Sequence, residues 1–444
     1  MFPPQSAVPL KPIPGSYGLP FFGAIKDRLD YFYNQGKDEF FSSRVEKYQS
    51  TVFKTNMPPG PFIAQNPKVI AVLDAISFPI LFDTSKIEKF NVLDGTYLPS
   101  LSFTGGYRVC AYLDPSEPNH TSLKSFFMSV LASKHKDFVP LFRTCLSQMF
   151  IDIEDEMGSK RTANFNDSSD AMSFNFVFRL FCEKDPSETK LGSEGPAIVD
   201  KWVGLQLAPL ATIGFPKFLK HFEDLLMHTF PIPFFLVKSD YKKLYDAFYA
   251  SSSSVLDKAE SFGIDRDEAC HNLVFVAGEK LHRQLANEIR TVVKEEGGVT
   301  FQALEKMTLT KSVVFEALRI EPGVPFQYGK AKEDIVINSH DAAYEIKKGE
   351  MIFGYQPFAT KDPKIFIILR RENLLKYVYW SNGRETEDPT VGNKQCPGKD
   401  LVVLLSRLLV VELFLRYDTF TVETAVLPFG SSVTLTSLIK ATST

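Results

Sequence analysis

The stretch KDLVVLLSRLLVVELFLRY, Lys399 to Tyr417, is apolar almost all the way round. A helix with one apolar stripe lies on a surface, but a helix apolar on every side has to be wrapped by protein. The run is interrupted by Ser406, Arg407 and Glu412 and is too short to span a bilayer. The chain must therefore build a core deep enough to enclose it, and 444 residues suffice for one large domain or two smaller ones. Directly before this run stands Cys396-Pro397-Gly398.

Gly398 leaves room for a flat group to approach the backbone. The free amides and dipole at the start of the following helix favour a thiolate at Cys396. A thiolate in an otherwise apolar setting suits a haem iron. Read alone, a Cys-Pro-Gly turn is more often a small buried cysteine.

The remaining composition narrows the function. Net charge is −3, which gives no electrostatic case for nucleic acid. The cysteines Cys110, Cys145, Cys182, Cys270 and Cys396 are scattered without a CxxC. That pattern indicates a reducing compartment, no disulfide framework and no zinc site. Phe is abundant, at 40 residues, which suits a large core or a large apolar ligand. No signal or transit peptide is visible, and residues 1–24 read as a Pro/Gly-rich arm before a single domain over 25–444. The segment LLMHTFPIPFFLVK, 225–238, carries two helix-breaking prolines and reads as either a buried loop or a lipid-interface contact. The expected location is the cytoplasm or a membrane surface.

Along the chain, residues 51–75 read as strand, turn, strand, then a helix after Asn66-Pro67. From about 117 to 300 the apolar spacing is helical. A further helix covers TLTKSVVFEALRIEP; strands follow in DIVINSHDAAYEIKKGEMIFGY and again from Asp418 to about Leu438. The expected fold class is mainly α with small β-sheets near both ends of the chain. Two pairs add polar chemistry. Glu316 and Arg319 are spaced i, i+3 among Val313, Val314, Phe315, Leu318 and Ile320, which predicts a buried ion pair needing further partners. His120 and Lys124, i, i+4 at a helix start, can face one anionic group; a solvated helix face is the plainer alternative.

Together these features are far more specific. E-x-x-R on a helix, followed about 75 residues later by a Cys-Pro-Gly loop and an apolar helix, resembles the haem-thiolate cytochromes of the P-450 superfamily. The stretches YLPSLSFTGGYRVCAYLDPSEPNH, LTKSVVFEALRIEPGVPFQYGKA, GYQPFATKDPKIF and YWSNGRETEDPTVGNKQCPGKD resemble the plant branch that consumes fatty-acid hydroperoxides: allene oxide synthase, hydroperoxide lyase and divinyl ether synthase. The likeness runs over about residues 10–440. It implies a cytochrome P-450 fold, haem b with a thiolate-ligated iron, a 9- or 13-hydroperoxide of a fatty acid as substrate, and no reductase. It also implies homolytic O–O cleavage favoured by electron donation from sulfur. By motif position, Cys396 is the axial ligand. Lys89, His120, Lys124 and Lys394 hold the propionates, Glu316 and Arg319 are structural, and Val324 leans over the haem toward the fatty chain. Leu93 stands where allene oxide synthases generally carry Phe; an aliphatic residue there goes with the lyases. VLDGTY with YRVCAYLDPSEP, and the absence of a visible transit peptide, most resemble the lyases that accept both 9- and 13-hydroperoxides, so cleavage to aldehydes by such a lyase is the leading reading. The alternatives are an allene oxide synthase, or a haem- or lipid-binding relative without turnover. An oxygen-activating monooxygenase is disfavoured, because ACHNLVFVAG holds no acid–alcohol pair.

The chain departs from that branch in two places. After HNLVFVAG the family continues with Phe-Asn-x-x-Gly-Gly-x-Lys, whose Asn binds the hydroperoxide. Here Gly278 leads straight into EKLHRQLANEIR, roughly twenty residues short, equivalent to about 30 Å of helix. Neither Asn272 nor Asn287 stands in the required motif, so no catalytic residue is assignable. The segment after KDPKIF is about ten residues short, and Arg370 or Arg371 is the candidate replacement for the arginine that normally completes the Glu–Arg network. Gly323 replaces the usual Pro before Val324, which loosens that turn.

Overall fold

A computed structural model describes residues 8–64, 66–93, 97–276, 293–366, 371–427 and 430–442. Its helices from Pro118 onward fall where the apolar spacing placed them, while two helices near the N-terminus, Phe22–Leu29 and Lys37–Tyr48, were not expected. The long helices are α1 (Phe22–Leu29), α2 (Lys37–Tyr48), α3 (Pro118–Lys134), α4 (Phe138–Lys160), α5 (Phe165–Cys182), α6 (Gly195–Leu207), α7 (Lys220–His228), α8 (Lys238–Ser251), α9 (Ser253–Glu260), α10 (Arg266–Val276), α11 (Thr308–Ile320) and α12 (Lys399–Arg416). α8 and α9 are separated at buried Ser252, whose amide and hydroxyl both donate to the Phe248 carbonyl, at 2.9 and 2.7 Å.

α12 is enclosed as its composition requires. Leu408, Leu409, Val410, Val411 and Leu413 join one core with residues of α3 to α6 and α8 to α10. Its polar residues are buried with partners rather than exposed. Arg407 donates to Glu305 at 2.7 Å and to the Leu304 carbonyl, and Glu412 accepts from Arg143 at 2.5 Å. A buried charge left unpaired would cost several kcal/mol, about 3–5.

The sheets join distant parts of the chain. β2 (Val52–Asn56) and β3 (Lys68–Val72) share one five-stranded sheet with β4 (Ile87–Glu88), β6 (Phe326–Ala331) and β9 (Met351–Tyr355), in the order β2-β3-β9-β6-β4. β3 runs parallel to β9, with Ile70 opposite Ile352. The N-terminal arm is stitched in: β1 (Leu10–Lys11) lies parallel to β8 (Ala343–Ile346), which pairs antiparallel with β7 (Ile335–Asn338). β12 (Tyr417–Leu427) and β13 (Gly430–Lys440) form a long hairpin joined by β5 (Ala163–Asn164). The sheets thus bring the two ends together rather than standing apart.

The segment after Asn66-Pro67 is β3, a strand and not the expected helix. Val69 to Val72 are all buried. A short continuous apolar run carries no period that separates a fully buried strand from a helix. Three of its four members are β-branched, which favours the strand.

The 225–238 segment is not a buried loop. α7 stops before Pro231, and Leu225, Leu226, Phe230, Phe235 and Leu236 are exposed. The element is held from beneath by Arg28 of α1. Its guanidinium donates to Asp224 at 2.8 and 2.6 Å, and to the carbonyls of Pro59, Gly60 and His228 at 2.9, 2.9 and 3.0 Å. Among the described residues no helix is long and apolar enough to cross a membrane.

Candidate active site

Cys396 lies in a loop braced from two sides. On one side is the hairpin β10 (Tyr379–Trp380) and β11 (Gly383–Arg384), turned by Asn382 in the left-handed region. The Cys396 amide donates to the Ser381 carbonyl at 3.3 Å, and the Gln395 side chain donates to the Arg384 carbonyl at 2.7 Å. Gly383 is required there: a Cβ would stand 2.6 Å from Cδ of Gln395. On the other side is the start of α12, with Gly398 as its cap and a Cβ position 3.7 Å from the Cys396 sulfur. Lys399 then reaches back under the loop, donating at 3.0 Å to the carbonyls of both Glu385 and Glu387.

A cationic cluster adjoins this loop. His120 and Lys124 on α3 are both buried, which excludes the solvated-face alternative. Lys124 donates to the Asn393 side chain at 3.0 Å and to its carbonyl. Lys394 is held by the carbonyls of Cys110, Ala111 and Leu113, at 3.4 and 2.9 Å for the first two. Lys89 is buried against the Tyr328 carbonyl. Burial, and then the neighbouring Lys394 charge, lower Lys89 to about 7. Lys394 itself is lowered by burial to about 8. Lys124 is lowered to about 8 by burial, with Cys110 and Cys396 opposing and Lys394 adding to the effect. His120 falls to about 4 through burial, then Lys394 and Lys124, and its Nδ1 is buried without a hydrogen-bond partner.

No carboxylate stands within ion-pair distance of these four groups among the described residues. The nearby Asp114 accepts from the Lys89 amide and Ser116, and Glu117 from Arg108. Several buried cations with depressed pKa values, beside a cysteine at a helix start, suit a flat group with two carboxylates and a thiophilic metal. The residues present fit haem.

The other expected positions are less uniform. Glu316 and Arg319 of α11 pair in two contacts, at 2.8 and 2.6 Å, and Arg319 also donates to the Thr360 carbonyl. The pair is not fully buried as expected, because the Glu316 side chain is 46% exposed. Val314, Phe315 and Leu318 define the packed face, and Glu316 falls about half a turn away from Val314 and Leu318. Leu93 is half-buried, while Val324 is 39% exposed, before β6. Asn272 is buried with both ends of its amide engaged: it accepts from the Cys110 amide at 3.0 Å and donates to the Glu268 carbonyl at 3.0 Å. Arg370, Asn287, the Gly278–Glu279 junction and the Arg371 side chain lie outside the described residues. Lys399 and Asn393 are the braces that residue-type reasoning missed, although both stand in the Cys396 motif. Nothing local marked Arg28 or Asp224.

Residues 278–367 match the cytochrome P450 family model. Allene oxide synthase 3 of Solanum lycopersicum is 54% identical, over 98% of this chain and 96% of the relative. The chloroplastic allene oxide synthase of Arabidopsis thaliana is 50% identical over 98% and 90%, and the 9-divinyl ether synthase of Capsicum annuum 48% over 98% and 98%. The aligned span with the first is 471 positions, about 36 more than the roughly 435 residues of this chain within it. That excess is of the size expected from the two shortened segments. Cytochrome P450EX alpha, solved with myristic acid, shares the fold at a TM-score of 0.58 and 13% identity, over 97% of this chain and all of that one. With half of its residues shared over nearly its whole length, the chain belongs to the cytochrome P450 family, in the hydroperoxide-metabolising branch of the allene oxide and divinyl ether synthases, and its cofactor is thiolate-ligated haem.

Proposed function

We propose that the chain is an allene oxide synthase-type enzyme that dehydrates a polyunsaturated fatty-acid hydroperoxide. The observation that carries this reading is the 49–54% identity to seven allene oxide synthases. The lyase reading rested on Leu93, two short stretches and the absence of a visible transit peptide, and likeness along the whole chain outweighs them. Cys396 would hold the haem iron, and Lys89, Lys124, Lys394 and His120 would hold its propionates. Bound haem supplies O–O homolysis. Glu316 with Arg319 stiffens α11, and Leu93 and Val324 contribute apolar surface toward the fatty chain. No reductase is needed, because the substrate brings its own oxidant. Residues 25–444 act as one domain.

Haem-loaded protein mixed with 9- and 13-hydroperoxides, without reductase, tests this. Ketols, the hydrolysis products of an allene oxide, are expected. Short aldehydes would establish the lyase reading instead. Haem uptake without loss of the conjugated diene would establish the second reading, a binding relative without turnover. That reading is favoured by one observation: the segment that carries the hydroperoxide-binding Asn in the family is missing after Gly278.

We also propose that the exposed apolar surface around Leu225, Phe230 and Phe235 rests on a lipid interface. Sedimentation with vesicles that is lost in Phe230→Ser/Phe235→Ser would support it; retention in that variant would refute it.

A further inference from the structure

A row of rings crosses the helical half of the molecule. Trp202 of α6 stacks on Tyr241 of α8, centroids 5.3 Å apart and planes at 22°. Tyr241 stacks on His271 of α10 at 5.7 Å and 14°. His271 stacks on Tyr245 at 4.5 Å, and Tyr245 on Tyr249 at 5.6 Å. The row runs from buried Trp202 to Tyr249, which is 40% exposed. Inward, the Phe275 ring lies between Trp202 and Tyr112, 6.3 and 5.9 Å from each. Tyr112 belongs to the turn whose neighbouring carbonyls hold Lys394, so the inner end meets the candidate site.

Packing alone does not account for the residue types. The chain has 40 Phe but only 16 Tyr and 2 Trp, yet this row is Trp, Tyr, His, Tyr, Tyr. Among aromatic side chains Trp and Tyr give up an electron most readily, and His can take up the proton that a phenol loses. A phenol gives up its electron only if its proton has somewhere to go, and each inner tyrosine has an acceptor in place. The Tyr241 hydroxyl is 2.5 Å from His271 Nδ1, and that of Tyr245 donates to Asp267. Burial holds His271 below its ordinary value, leaving the ring neutral and able to accept. Gly105 makes room for it: a Cβ there would lie 2.0 Å from Nε2.

We propose that the row Trp202–Tyr241–His271–Tyr245–Tyr249 is a one-electron path that drains stray oxidising equivalents from the candidate site to the surface. The inference rests on the peroxide-cleaving reading, which supplies the oxidant, a fatty alkoxyl radical. Full draining of one peroxide takes two passages along the row, ROOH + 2 R′SH → ROH + H2O + 2 R′S•. In the first, the alkoxyl radical takes one electron from the row and one proton from water and becomes the alcohol. Tyr241 passes its phenolic proton to His271 Nδ1 as it is oxidised. It recovers that proton when Tyr245 reduces it, with the Tyr245 proton held by Asp267. The oxidised site ends at Tyr249, which releases its phenolic proton to solvent, neutralising the hydroxide left at the alcohol; a thiol then returns an electron and a proton to it and becomes a thiyl radical.

The path is tested without relying on turnover. Photogenerated tris(bipyridine)ruthenium(III), a bulky one-electron oxidant, cannot touch Tyr241, which is 4% exposed. Peptide mass spectrometry of spin-trapped protein should nonetheless find Tyr241 oxidised. The yield there should fall at least tenfold in Tyr249→Leu, while exposed tyrosines elsewhere react as before. Tyr241→Phe keeps the ring but should leave the tyrosyl electron-paramagnetic-resonance signal on Tyr245. Oxidation confined to exposed tyrosines, or unchanged at Tyr241 in Tyr249→Leu, overturns the path. With haem-loaded protein and cumene hydroperoxide, Tyr241→Phe should bleach several-fold faster than wild type, and equal bleaching overturns the draining role. Fatty-acid hydroperoxide conversion is followed in parallel, and its absence would strike the proposed function while leaving the ruthenium result standing.

Discussion

The lysine cluster makes porphyrin affinity depend on pH in a direction set by the structure. In the protein alone, Lys89 is lowered to about 7, first by burial and then by Lys394. Against a propionate the charged form is favoured, and its pKa returns toward the ordinary value of about 10.4. The bound value lies above the free one, so binding takes up a proton between them. Affinity is therefore full below pH 7 and is lost as pH rises. One lysine accounts for about tenfold, or about 1.4 kcal/mol, per pH unit. From pH 7 to 9 Lys89 alone predicts a roughly hundredfold loss, and Lys124 and Lys394, which both start at about 8, each add up to about another tenfold by pH 9. The assay is a fluorescence titration with metal-free protoporphyrin IX. It keeps both carboxylates but has no iron, so no iron–sulfur bond contributes. Lys89→Arg should keep most affinity at pH 7 and flatten the slope by about one decade per unit. A porphyrin dimethyl ester should bind weakly with no slope. Affinity that stays constant or rises from pH 7 to 9, or a slope unaltered in Lys89→Arg, would refute the assignment of these cations.

Three further perturbations probe the frame. Gly383→Ala pushes a Cβ into Gln395, so the Cys396 loop must shift; haem loading and the thiolate Soret band should both drop, with about 1–3 kcal/mol lost in urea unfolding. Lys399→Met strips the donor from two carbonyls beneath the same loop, and a total loss of about 1–3 kcal/mol should appear as a lower urea midpoint. Arg28→Met leaves Asp224 buried without its partner, and about 3–5 kcal/mol of stability should disappear, read from the same transition.

The parts legible in the sequence are those encoded over a few helical turns. The all-round apolar run from Lys399 announces a buried helix, and the Cys-Pro-Gly before it places a thiol at that helix's mouth. Both hold in the fold. The β3 run was misread because four consecutive apolar residues have no period to read. Glu316 was placed too deep because apolar neighbours in sequence need not share its face of a helix. Lys89, Lys124 and Lys394 are ordinary surface lysines by residue type, spread over some three hundred positions. The family resemblance grouped them, but only the packing of β4 and β6, α3, the 110–113 turn and the Cys396 loop puts them out of water. Packing alone also joins Arg28 to Asp224 and assembles the ring row from α6, α8 and α10. Local periodicity is written in adjacent residues. Desolvation, charge repulsion and ring overlap are properties of what surrounds a side chain, and the tertiary structure alone decides what that is.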